Sequence, residues 1–176
     1  MRKLLGTLAV AACVALSAQD AAAQISKGYT DVGAVIGIGG IGSASASFGG
    51  RFERIFRDLP EFGGGLLGIG ISADYYSYNF GGGYSLSYIP IGATANYHFK
   101  LENKKIDPFL GAGLGFQVVN CSGAGSSGFG CGGYNSAVYF IGRAGARYFV
   151  TPGLAAYADV GAGAATFNVG ATIKLK

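Results

Sequence analysis

From about residue 28 onward, apolar side chains fall at every second position, with Gly, Ser, Thr, Asn or a charged residue between them. In "IPIGATANYHFK" one series is Ile89, Ile91, Ala93, Ala95, Tyr97 and Phe99. The other is Pro90, Gly92, Thr94, Asn96, His98 and Lys100. "FNVGATIKLK" divides in the same way, Phe167, Val169, Ala171, Ile173 and Leu175 against Asn168, Gly170, Thr172, Lys174 and Lys176. A two-residue period marks strands whose two faces meet different surroundings. Turn-forming residues divide the pattern into eight runs, near 28–38, 45–56, 63–79, 85–100, 107–120, 135–149, 153–162 and 165–175. None of them has the period of a helix.

"RDLPEF", "LENKKI" and "VTPG" are compact turns. The alternate connections, "GGIGS", "FGGGY", "CSGAGSSGFGCGGY" and a short one near Gly163, are rich in Gly and Ser. Eight strands joined this way predict an all-β, antiparallel up-and-down meander, and closing it into a barrel removes both edges. The polar face carries Asp31, Arg51, Glu53, Asp74, Asn96, Gln117, Arg143, Arg147, Asp159 and Lys174. A narrow barrel cannot bury these beside a greasy core, but it can pair them with one another. The apolar face is continuous and needs a partner, which lipid supplies. These two requirements predict a transmembrane barrel, apolar outside and polar within.

Eight strands leave an interior just wide enough for side chains to fill. The interior charge network is therefore expected to set Asp31, Glu53, Asp74 and Asp159 against Arg51, Arg143, Arg147 and Lys174, and to plug the lumen. Arg143 and Arg147 lie four residues apart on one face, about 13 Å along a strand, so they are expected in two layers.

One short stretch points elsewhere. In "DVGAVIGIGGIGSA", Gly37, Gly39 and Gly42 spell the G-x-G-x-x-G of dinucleotide-binding folds, and Glu61 lies where a ribose-binding acid would be wanted. That fold needs a helix directly after Gly42. "SASASFGGRF" follows instead, alternating and broken by Gly49 and Gly50, so the glycines are expected to serve a tightly curved sheet and no cofactor is expected.

The first residues, "MRKLLGTLAVAACVALSAQDAAAQ", have a basic start, an apolar run from Leu4 to about Ala18 and small residues before Gln24. They read as a secretory signal peptide over 1–23, cleaved between Ala23 and Gln24, ahead of a barrel domain over 24–176. About 15 apolar residues fall short of the ~20 a spanning helix needs. "VAAC" at Cys13 offers lipoprotein processing as the rival. Without Arg2, Lys3 and Asp20 the 13 basic and 9 acidic side chains become 11 and 8. The basic residues are scattered, so the charge does not indicate nucleic acid. Cys121 and Cys131, in an exported chain, are expected to form a disulfide rather than a metal site.

The segments "YIPIGATANYHF", "IDPFLGAGLGF", "IGRAGARYFVTPGLAAYADVGAG" and "FNVGATIKL" resemble the outer-membrane β-barrel family of small OmpA/OmpX-type proteins, over nearly all of 24–176. The resemblance implies a bacterial outer-membrane location, periplasmic termini, surface-exposed long loops, and the barrel-assembly machinery and outer-membrane lipid as partners. Such chains commonly end on an aromatic residue, whereas this one ends "IKLK". The motifs mark architecture rather than a reaction. The expected role is structural or surface-interacting, as a monomer, with no enzymatic activity and a surface ligand the sequence does not name. A small-solute channel and a lipid A-modifying enzyme are the alternatives. Barrels of the latter kind use a histidine, but His98 is expected at the foot of the barrel, away from the outer leaflet where they work. Phe52, Phe56, Tyr97, Phe99 and Tyr148 are expected at the membrane interface near the turn end. Tyr75, Tyr76, Tyr78, Tyr84 and Tyr88 are expected as an outer girdle or a contact surface.

Overall fold

The computed structural model describes residues 25–80, 83–123 and 135–175. The signal segment with its cleavage site at Ala23 and Gln24 lies outside the described residues, as does Cys131. The strands are β1 (Thr30–Ile38), β2 (Ser47–Leu59), β3 (Gly65–Phe80), β4 (Tyr84–His98), β5 (Ile106–Gly123), β6 (Ala137–Thr151), β7 (Leu154–Ala162) and β8 (Phe167–Lys174). Each pairs antiparallel with its neighbour in sequence, and β8 returns to β1 through Asp31↔Lys174 to Ile38↔Phe167. The result is a closed eight-stranded barrel. It has no open edge.

The alternation sets the faces. Ile69, Ile71, Ile91, Leu110, Leu114, Phe116, Phe140, Val160, Val169 and Ile173 point outward and are exposed, Phe140 to 81%. Asp31, Glu53, Asp74, Asn96, Asp107, Arg147, Asp159 and Asn168 are buried inside. Water would oppose this distribution, since apolar burial drives folding there. In hydrocarbon it is the expected one.

The barrel is taller on one side. β3, β4, β5 and β6 have 16, 15, 18 and 15 residues, whereas β1, β7 and β8 have 9, 9 and 8. A tilted strand crosses a bilayer in about 9–11 residues, so the long strands continue past the apolar band at the end opposite the termini. Register shifts at Ile55/Arg57 and at Phe149/Thr151 lie at the terminus end, where bulges bend a barrel rim. The β3–β4 ladder is interrupted opposite Pro90, which has no N–H to donate.

Gly39, Gly40 and Gly42 adopt φ of 75°, 72° and 61° in the β1–β2 connection. Left-handed backbone favours glycine, so the G-x-G-x-x-G spacing serves a loop between two strands. No helix follows it among the described residues.

Candidate functional site

The interior is built in four levels. At the terminus end Tyr29, Ile55, Leu66, Phe149 and Ala155 form a buried apolar cluster. They share strand faces with Asp31, Glu53 and Arg147, so the inward face turns apolar at that end.

Above it lies the first charged level, centred on Arg147 of β6. Its guanidinium faces three carboxylates from three strands. Nη1 donates to Asp107 Oδ2 of β5 at 2.9 Å, Nη2 donates to Glu53 of β2, and Nε lies 3.2 Å from Asp31 Oδ2 of β1. Tyr29 donates its hydroxyl to the same Asp31 oxygen at 3.2 Å. His98 of β4 bridges two of these acids, with Nδ1 2.9 Å from Asp107 Oδ1 and Nε2 2.9 Å from Glu53 Oε1. Asn96 donates to Glu53 Oε1 at 2.7 Å. The His98 ring thereby ties β4 to both β2 and β5. The Phe109 ring covers the group, 5.6 Å from the Arg147 guanidinium and 5.7 Å from the His98 ring.

The second charged level uses the next inward positions. Arg143 pairs with Asp159 of β7 and donates to the Ala165 carbonyl at 2.5 Å. Asn168 donates to Asp159 Oδ1 at 2.7 Å, and the Tyr157 hydroxyl donates to its other oxygen. Arg51 Nη1 donates to both oxygens of Asp74, at 3.0 and 3.1 Å. The side chains are ordered by glycine on the facing strand: a Cβ at Gly68 would lie 2.6 Å from Glu53 Oε1, and one at Gly70 2.7 Å from Thr94 Oγ1. Between the levels remains a cavity of about 60 Å³, lined by Glu53, Arg143, Arg147 and Tyr157 among others. It has room for a few waters.

An aromatic level lies at the far end. Tyr76 stacks on Tyr88 with ring centres 4.8 Å apart, and Tyr78 lies 5.9 Å from Tyr88. Tyr76 donates to Gln117 Oε1 at 3.3 Å, and Ile41, Leu86 and Ala165 pack around the rings.

No protein-family model matches the chain. No curated protein matches it either. Solved structures do. The N-terminal β-barrel domain of Pseudomonas aeruginosa OprF superposes with a TM-score of 0.57 at 15% identity, over 85% of this chain and 98% of that one. A de novo designed transmembrane β-barrel gives 0.51 at 16% identity, over 86% and 99%. Neisserial surface protein A gives 0.50 at 20% identity, over 84% and 94%. The fold is that of the small eight-stranded outer-membrane barrels.

Within this transmembrane barrel, seven of the eight residues of the sequence-derived network lie inside and in ion pairs: Asp31, Arg51, Glu53, Asp74, Arg143, Arg147 and Asp159. Lys174 does not. It is exposed at the terminus-end rim, its Nζ 5.7 Å from the centre of the Tyr29 ring. Its strand face is inward, but it is the last residue of β8, and a long lysine stem carries its charge to water. Asp107 and His98 take its place in the network. Asp107 shares its strand face with Phe109, Gly111 and Gln117, a parity that marks it as inward. The network holds five acidic side chains, three arginines and one histidine.

The tyrosines also differ from expectation. Tyr75 faces outward, but Tyr76, Tyr78 and Tyr88 turn into the lumen. Tyr76 and Tyr78 follow Asp74 at steps of two, so the inward series simply continues beyond the charged levels. Phe52, Phe56, Phe99 and Tyr148 are exposed near the terminus end. Tyr97 lies half-buried between Phe99 and the β2–β3 turn, where its hydroxyl donates to the Phe62 carbonyl.

Proposed function

We propose that the protein is a monomeric integral outer-membrane barrel with a plugged interior and a structural or surface-interaction role. Its termini face the periplasm and its long connections face outward. The observation that carries this reading is the Arg147 level: one guanidinium, one imidazole and three carboxylates from β1, β2, β4, β5 and β6 fill the cross-section where a channel would run. Outer-membrane lipid surrounds the barrel, the assembly machinery inserts it, and any ligand meets the tall β3–β6 side. A Cys121–Cys131 disulfide restrains the β5–β6 connection. Maleimide should then label neither thiol in the denatured, non-reduced protein, and labelling of both contradicts the bridge.

The surroundings of His98 speak against catalysis. It is 1% exposed, and both ring nitrogens are engaged by carboxylates, so neither is open to a substrate proton. The test of the plug is electrical. Refolded protein in planar bilayers should give no large, steady single-channel conductance. Such a conductance would favour the channel reading instead.

A further inference from the structure

The two ends of the barrel have opposite chemistry. Residues 32–50, 75–99, 108–142 and 160–173 contain no Asp, Glu, Lys or Arg, and the described residues among them form the far end and the strands leading to it. Every exposed charge among the described residues lies at the terminus end. Seven are basic: Arg54, Arg57, Lys100, Lys104 and Lys105, with Lys27 and Lys174 at the chain ends. Three are acidic, and two of these are already engaged, Glu61 by Arg57 at 3.5 Å and Asp58 by Lys100 at 3.8 Å. The rim therefore keeps a positive excess of four among the described residues.

Arg54 shows where that excess points. It is on the outward face of β2, between Phe52 and Phe56, and stands opposite Ile69 of β3 and Thr30 of β1. Phe52, Phe56 and Ile69 are all exposed. No side-chain hydrogen bond or ion pair engages Arg54 among the described residues. A guanidinium in a lipid-facing row without a protein partner needs an anion from the lipid. Exposed aromatic residues mark the level at which head groups lie, and Phe52, Phe56, Phe99 and Tyr148 set that level around Arg54. A long side chain there lays its stem on apolar surface and its charge among phosphates.

We propose that the terminus-end rim is a collar for the phosphate head groups of anionic glycerophospholipids, with Arg54 as its lipid-facing anchor and Lys104 and Lys105 as its outer charges. The far end holds no charge with which to bind a phosphate, so the selection acts in one leaflet only. The proposal rests on the transmembrane reading.

The test is native mass spectrometry of the refolded protein released from micelles containing equal amounts of phosphatidylglycerol and phosphatidylcholine with identical acyl chains. Each basic side chain near an anionic surface supplies a factor of roughly five. Phosphatidylglycerol should therefore be retained over phosphatidylcholine by at least about that factor. Arg54→Gln and the double variant Lys104→Gln/Lys105→Gln should each reduce the preference, while heat-modifiable migration on gels shows that both still fold. Glycerol 3-phosphate should not compete, which separates a lipid site from a phosphate site. Equal retention of the two lipids, or a preference unchanged in both variants, overturns the collar. A wild-type protein that never enters micelles overturns the transmembrane reading and the collar with it.

Discussion

Replacing Arg147 with methionine should lower the unfolding free energy by about 3–5 kcal/mol, the usual cost of breaking a buried ion pair from one side. Arg147 is 2% exposed and faces Asp31, Glu53 and Asp107. Without it, three carboxylates share one imidazole in a space that admits few waters. Asp31 is worst placed, since its Oδ1 already has no hydrogen-bond partner. Urea titration in micelles, followed by the loss of heat-modifiable migration, measures the effect. Adding Asp31→Asn, Glu53→Gln and Asp107→Asn to Arg147→Met should recover part of the loss, because uncharged groups of similar shape can occupy such a site at little cost. Arg51→Met should cost less, since Arg51 has one carboxylate partner and a side chain 14% exposed. An Arg147→Met protein within about 0.5 kcal/mol of the parent, the range of ordinary surface substitutions, would contradict the network's role in holding the strands together.

Gly113→Val should be nearly as damaging, for a steric reason. A Cβ on Gly113 would lie 2.8 Å from Thr94 Cα and 2.9 Å from the Ala93 carbonyl carbon, both backbone atoms of β4. Overpacking a core costs about 1–3 kcal/mol when side chains can shift. Here the neighbouring strand itself must move, so the loss should reach or exceed the upper end of that range. Gly142 on β6 is the control. A Cβ there meets nothing within 4 Å, and Gly142→Ala should leave the urea midpoint unchanged. Equal midpoints for Gly113→Val and the parent would show that β4 and β5 are not held this close.

The two-residue period made the strands legible because lipid and a polar lumen impose opposite demands at successive residues. It also placed Arg143 and Arg147 in separate levels, since a side chain four positions along a strand cannot share a cross-section with the first. The same period loses its meaning where those demands end. At the foot, Ile55 and Phe149 continue the inward series of Glu53 and Arg147 as apolar residues, packed with Tyr29, Leu66 and Ala155. At the far end Tyr76 and Tyr78 continue the series of Asp74 as aromatic residues, packed with Leu86 and Tyr88. Lys174 has the right parity but stands too close to the rim to stay inside. Asp107 has the right parity too, but as the first residue of its predicted strand, beside Pro108 and a charged turn, it stands where the alternation has only begun. Which acid meets which arginine depends on barrel closure and strand stagger, and alternation along one strand contains neither.

The central claim is that the alternating faces meet lipid outside and a closed polar interior within. The protein has no tryptophan, so one introduced at a time reports its own surroundings. Leu114 is 52% exposed on the outward face of β5, and Phe109, on the inward face of the same strand, is 4% exposed. In vesicles of lipid brominated along the acyl chains, the fluorescence of Leu114→Trp should be strongly quenched and that of Phe109→Trp nearly untouched. Equal quenching at the two positions, or quenching at Phe109→Trp alone, would contradict the account.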